Sequence, residues 1–164
     1  EAVDTLTTEK SVNLFEKFGI FTKTELESRA EVLYETYAKT INIEALTMID
    51  MASKQYVPAI VKYTKSLADT VVAVKDAGAD AQVQTEILKA VNGKLGEVKS
   101  ALAKLEEAEA KAAAMDNVKD QAFFYKDVVK TAMDELRAPV DEVEMMVDKK
   151  AWPVPSYADL MFEV

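Results

Sequence analysis

The chain has 164 residues, 49% of them apolar and 30% charged, with 20 Lys and Arg against 29 Asp and Glu for a net charge of −9. This composition fits one soluble domain with a core of its own, and the acidic balance argues against nucleic acid or an anionic membrane as partner, since both need cations to neutralise phosphate. With no cysteine and no histidine, disulfides, thiolate catalysis, His-based acid–base work, histidine-dependent triads and nearly all transition-metal sites are excluded.

A short first helix is expected over 8–18. Thr8 can cap it, Val12, Phe15 and Phe18 form its apolar stripe, and Gly19 stands where a left-handed residue ends a helix. Thr22-Lys23-Thr24-Glu25 is a capping-box pattern that announces a second helix over 23–77. Its apolar positions step by three and four: Leu26, Ala30, Leu33, Tyr37, Ile41, Ala45, Met48, Ala52, Gln55, Ala59, Tyr63, Leu67, Thr70 and Val74. That is helical periodicity sustained for roughly 75 Å of helix. Pro58 should bend or split it near 54–57, and Ala77-Gly78-Ala79-Asp80 should end it and cap the next.

A third helix is expected over 81–115, with Val83, Ile87, Val91, Leu95, Val98, Leu102 and Leu105 on one face. Its alanine-rich second half permits either close helix approach or solvent exposure. A fourth helix is expected over 116–149, with a stripe of Val118, Ala122, Tyr125, Val129, Ala132, Leu136, Val140, Val143 and Val147, and a kink at Pro139. Three long helices joined by short turns predict an all-α, antiparallel up-down bundle. The tail, 150–164, holds Pro153 and Pro155, which forbid helix at its start, so it reads as an extended Pro/aromatic strap.

Chemistry-bearing motifs are scarce. The acidic runs around Glu106 and Asp141 read as solvated faces, a di-iron bundle would need histidine, and no glycine-rich phosphate loop occurs. Catalytic, cofactor-binding and metal residues are therefore expected to be absent. The candidates are packing surfaces. One is the tail: Trp152 (the sole tryptophan), Pro153, Pro155, Tyr157, Leu160, Met161 and Phe162. The other is Tyr34 and Tyr37 with Phe123 and Phe124; together with Tyr125 they supply more rings than one helix seam can cover. Tyr56 and Tyr63 read as half-buried rings with wet hydroxyls. No apolar run approaches the roughly 20 residues that span a bilayer, no signal peptide is visible, and the cytoplasm is the default compartment. The start at Glu1 without methionine hints at a piece of something longer, or a processed terminus.

Three patches carry a family resemblance. They are Phe15-Glu16-Lys17-Phe18-Gly19-Ile20-Phe21-Thr22-Lys23-Thr24-Glu25-Leu26-Glu27-Ser28-Arg29, then Tyr34 to Glu44 leading to Met51-Ala52 and Gln55-Tyr56-Val57-Pro58-Ala59, and the tail from Trp152 to Phe162. In order and spacing they resemble the C-terminal helical domain of type III glutamine synthetases, the large bacterial form. The resemblance implies that 1–164 is a single helical domain from the end of a longer enzyme. The parent would be a glutamate–ammonia ligase, joining ammonia to glutamate with ATP and Mg²⁺ and assembling as a ring oligomer. The family's catalytic residues lie in an upstream domain, so none carries over here. The implied partners are the protein's own catalytic domain and neighbouring subunits of a homo-oligomer, and the implied role is packing, assembly or regulation. The rival reading is a stand-alone helical binding or sensor module.

Overall fold

A computed structural model describes residues 2–155 and 157–162, and among these the backbone is helical, with no strand. A 3₁₀ turn at Ala2–Thr7 precedes α1 (Glu9–Lys17). Helix α2 runs Lys23–Met51 and passes through a π-helical turn, Ala52–Tyr56, into α3 (Val57–Asp76). Helix α4 is Gln82–Ala113. After it come α5 (Val118–Phe124), a second π turn (Tyr125–Val129), α6 (Lys130–Glu144) and the short α7 (Tyr157–Phe162).

The helix boundaries have local causes. Thr8 accepts a hydrogen bond from the Ser11 N–H at the start of α1. At its end Gly19 takes φ +63°, Ile20 N–H bonds Phe15 C=O at 3.0 Å and Gly19 N–H bonds Glu16 C=O at 3.0 Å, the two bonds of a Schellman stop. The capping box closes as expected: Thr22 N–H donates to Glu25 Oε2 at 2.7 Å and Glu25 N–H to Thr22 Oγ1 at 3.3 Å. The Thr22 N–H, and next the Thr22 hydroxyl donating to the same Oε2 at 2.9 Å, hold the Glu25 carboxyl below the usual carboxylate range. Gly78, at φ +79°, repeats the Schellman stop after α3, and Asp80 Oδ1 accepts from Gln82 N–H at 3.0 Å to start α4. Asn117 starts α5 by accepting from Asp120 N–H.

Two expectations need correction, the unbroken helix over 116–149 and the extended tail. The helix over 23–77 is interrupted at Ala52–Tyr56, overlapping 54–57, where Pro58 was expected to bend or split it. Pro58 has no N–H for a carbonyl four residues back, and the turn before it widens so that Val57 N–H reaches Ala52 C=O, five residues back. The helix expected over 116–149 is likewise interrupted by a π turn, where Lys130 N–H bonds Tyr125 C=O, and it stops at Glu144. Pro139, where a kink was expected, lies inside α6 and is buried, as are Leu136, Val140 and Val143. The tail is not extended throughout, because Asp148 gathers a turn and 157–162 is helix: Ala151 and Trp152 N–H bond its C=O at 2.8 and 3.1 Å, and Lys150 N–H its side chain at 2.7 Å.

The stripes also shift in places. Leu33, Tyr37, Gln55, Val83 and Ile87 are exposed, and Ala38 is buried where Tyr37 was expected. Every stripe residue from Ala122 to Val147 is buried, whereas Val118 is half-buried.

By contact the chain divides into two compact units, Glu1–Leu46 with Ala108–Thr131 and Thr47–Glu107 with Ala132–Val164. The first buries Val12, Leu26, Ile41, Tyr125 and Val129 among alanines 30, 38, 45, 108, 112 and 122. So the small residues of late α4 divide: Ala108 and Ala112 are buried, while Ala110 and Ala113 are exposed. The second unit buries Ile60, Val91, Val98, Leu102, Leu105, Leu136 and Val143 as its largest aliphatics. Neither core contains a buried charged residue among those described.

Leu105, fully buried, sets a test of this assignment. Leu105→Ala should cost about 2–5 kcal/mol in chemical denaturation, while Ile87→Ala, on an exposed position of the same helix, should stay within about 0.5 kcal/mol.

Candidate interface sites

The first site lies wholly in the first unit. Helix α2 presents Leu33, Tyr34 and Tyr37, spaced three and four apart and so on one face. Against them stand Ala122 and Phe123 of α5, Lys126 of the π turn and Lys130 at the start of α6, with Val3 from the N-terminal turn. Together they line a groove of about 450 Å³. The Tyr34 and Phe123 rings lie 6.3 Å apart at 42°. Lys119 Nζ sits 6.0 Å from both centroids and Lys126 Nζ 5.7 Å from Phe123, so cations face the aromatic walls.

A polar clamp holds the end of this groove. Tyr34 Oη donates to Asp4 Oδ1 at 2.7 Å, and Lys119 Nζ pairs with the same oxygen at 2.5 Å. The Lys119 contact, then the Tyr34 hydroxyl, hold the Asp4 carboxyl below the usual carboxylate range. Burial, then the bond to Asp4, push the Tyr34 phenol up to about 12. Deeper in the unit, Asn42 Nδ2 donates at 2.9 Å to both Glu109 Oε1 and Tyr125 Oη. Tyr125 is almost wholly buried, and burial raises its phenol above the usual value.

The second site lies in the second unit. The Asp148 turn delivers Trp152 onto Tyr56, with ring centroids 5.2 Å apart at 24°. Its indole Nε1 is buried and has no hydrogen-bond partner among the described residues. Burial, and next Glu144 and Asp141, raise the Tyr56 phenol. Tyr56 also lines a cleft of about 300 Å³ with Met48, Met51, Leu136 and Val140. Trp152, Val154, Pro155 and Leu160 border a broader hollow of about 840 Å³ rimmed by Arg137, Asp141, Glu144, Lys149 and Asp159, of which Lys149 and Asp159 form an ion pair.

The structure thus brings Tyr34, Tyr37 and Phe123 together, but Phe124 is half-buried and does not line the groove. Trp152 is half-buried, Pro153 and Pro155 are exposed, and Leu160, Met161 and Phe162 are 66%, 69% and 74% exposed. Tyr157 begins α7; its side chain lies outside the described residues. Sequence reasoning missed Asp4, Asn42 and the lysines 119, 126 and 130. The spacing of those lysines around Phe123 was a readable signal, whereas the contacts of Asp4 and Asn42, 30 and more residues distant in sequence, were not.

Among the described residues no group of three or more acidic side chains is placed to hold a metal ion, and no helix is long and apolar enough to cross a membrane. Among the described residues the class is an all-helical chain whose distinctive features are clustered aromatic rings. Residues 1–75 match the family model described as the glutamine synthetase C-terminal domain. A glutamine synthetase of Butyrivibrio fibrisolvens is 36% identical over 158 residues, 95% of this chain and 23% of that protein. A glutamine synthetase of Bacteroides fragilis (strain YCH46) is 29% identical over 87% of this chain and 20% of its own length. A type-3 glutamine synthetase of Dictyostelium discoideum is 32% identical over 99% of this chain and 23% of its own length. These matches place the chain with the C-terminal domains of glutamine synthetases. It spans less than a quarter of the length of these relatives.

Two measurements check the sites. In an ultraviolet titration, Tyr34 should ionise near pH 12, after an ordinary tyrosine at about 10. Its raised value contributes stability that is complete below pH about 10 and is lost as pH rises towards 12, because the unfolded chain ionises first. Asp4→Asn should lower that midpoint only in part, since burial is the larger cause. Trp152→Ala should lower stability by about 1–3 kcal/mol through loss of the Tyr56 stack. Trp152→Phe should cost less than about 1 kcal/mol, because it keeps a ring and removes the unpartnered N–H.

Proposed function

We propose that this chain is the non-catalytic C-terminal helical domain of a glutamine synthetase. In this reading, a catalytic body outside the chain joins ammonia to glutamate with ATP and Mg²⁺. The helical domain serves assembly, packing or regulation. It acts as an antiparallel up-down bundle of three long helices, with the Pro/aromatic tail as strap or latch. Its partners are the catalytic domain of the same protein and neighbouring subunits of a homo-oligomer, in the cytoplasm.

The observation that carries the reading is one of proportion. Nearly all of this chain aligns with enzymes more than four times its length. A stand-alone sensor module has no reason to align end to end inside longer ligases. The chemistry of the chain agrees, for without His or Cys a ligase would need carboxylates and cations converging on nucleotide and metal. Several carboxylates here instead pair locally at helical spacing, as in Lys39–Glu35 and Arg137–Asp141, worth only a few tenths of a kcal/mol each.

The purified chain, supplied with ATP, Mg²⁺, glutamate and ammonia, should form no glutamine and release no phosphate. Turnover that scales with chain concentration and survives repurification would overturn the accessory-domain reading.

A further inference from the structure

The groove of the first unit has apolar walls, Leu33, Tyr34, Tyr37 and Phe123, of which Leu33 and Tyr37 are exposed. Lys119 and Lys126 beside it are already paired, with Asp4 and Asp127. Apolar contact, rather than charge, is therefore what the groove chiefly offers, and clustered apolar surface of this kind marks a contact site.

The place of the N-terminal turn identifies the occupant. Val3 is itself a wall of the groove. The turn that carries it is tied to three helices. Asp4 Oδ1 accepts from Tyr34 Oη of α2 at 2.7 Å and pairs with Lys119 of α5, while Ser11 Oγ of α1 donates to Thr5 C=O at 2.6 Å. A chain advances at most about 3.6 Å per residue, so five residues placed before Glu1 all lie within about 25 Å of Val3. A segment tethered so closely is present at an effective concentration on the order of millimolar, which a free partner does not match. The family model matched by residues 1–75 describes a C-terminal domain, so in the accessory-domain reading the catalytic body joins at this end of the chain.

We propose that the segment of the parent protein immediately upstream of Glu1 lies in the Leu33–Tyr34–Tyr37–Phe123 groove of the same chain, with apolar side chains against the rings. The N-terminal turn, held by Asp4, starts that segment beside the groove, and the contact fixes the helical domain to the catalytic body. This rests on the accessory-domain reading and names the surface through which its intrachain contact is made.

Photo-cross-linking in the full-length parent tests it. Tyr37→benzoylphenylalanine, in a mixture of isotope-labelled and unlabelled subunits, should cross-link chiefly to residues upstream of Glu1 and within one chain. The same probe at Val83, exposed on α4 in the second unit, should not. Cross-links only to another subunit, or only within 1–164, would overturn the proposal, as would a yield no higher than at Val83. Hydrogen exchange is an independent readout. Amides just upstream of Glu1 should be protected in the parent and exchange at least about tenfold faster after Leu33→Glu with Tyr37→Glu, while those of the buried Leu102 and Leu105 keep their rates. Equal upstream rates in parent and variant would count against the docking equally. Where the variant also loses protection at Leu102 and Leu105, its fold is damaged and the cross-link decides. A parent that forms glutamine but gives no such cross-link overturns the docking alone. One that gives the cross-link but forms no glutamine overturns the accessory-domain reading alone.

Discussion

The structure depends on burial of one continuous aliphatic and alanine stripe on α4. In the second unit that stripe is Val91, Val98, Ala101, Leu102 and Leu105; in the first it is Ala108 and Ala112. Each large buried aliphatic contributes about 1.5–3 kcal/mol by leaving water. The many exposed ion pairs, such as Lys23–Glu27 and Lys104–Glu135, contribute about 0–1 kcal/mol each. Packing therefore wins over charge by a wide margin. The change of residue size along α4 explains how one helix serves two units. From α4, leucines and valines enter one core, and Ala108 and Ala112 enter the other.

The alanine-lined core has a polar counterpart. Tyr125 occupies the alanine-rich first unit almost fully buried, and a buried phenol needs a partner. Asn42 supplies it and also engages Glu109, joining α2, late α4 and the π turn through one amide. The π turn and the tyrosine belong together: the wider turn carries Tyr125 and Val129, both buried, on a helix whose stripe continues into α6. At the outer edge, Tyr34, Asp4 and Lys119 tie the N-terminal turn to α2 and α5. Around this scaffold, lysines and rings accumulate on one face.

Much of this was legible in the residues. Gly19, Gly78, the Thr22–Glu25 box and Asp80 act locally, within five residues, and each stop or start stands where its chemistry demands. The stripe from Ala122 to Val147 was readable because a period of 3.6 leaves few choices when both neighbours are helices. What was not legible is tertiary. Whether Leu33 and Tyr37 or Ala38 faces inward depends on how closely neighbours approach, and alanines bring them close enough to exclude larger side chains. The π turns depend on Pro58 in one case and on the placing of Tyr125 in the other, which no propensity encodes. At the sites, the rings Tyr34, Tyr37 and Phe123 stood out by their number. Their polar clamp did not, since Asp4 lies far off in sequence. Trp152 stood out as a singleton, and its partner Tyr56 is identified by the Asp148 turn. The helix at 157–162 was obscured by the prolines just before it.

The proposed accessory role is that of a domain that holds rather than reacts. On the proposed reading, such a chain would contribute to its parent protein through contacts. The most direct measurement is native mass spectrometry of a whole relative, such as the Butyrivibrio fibrisolvens glutamine synthetase, with and without the region aligned to this chain. The account predicts that removal changes the mass of the assembly while the remaining body still binds ATP and Mg²⁺. An unchanged assembly mass together with lost nucleotide binding would contradict it.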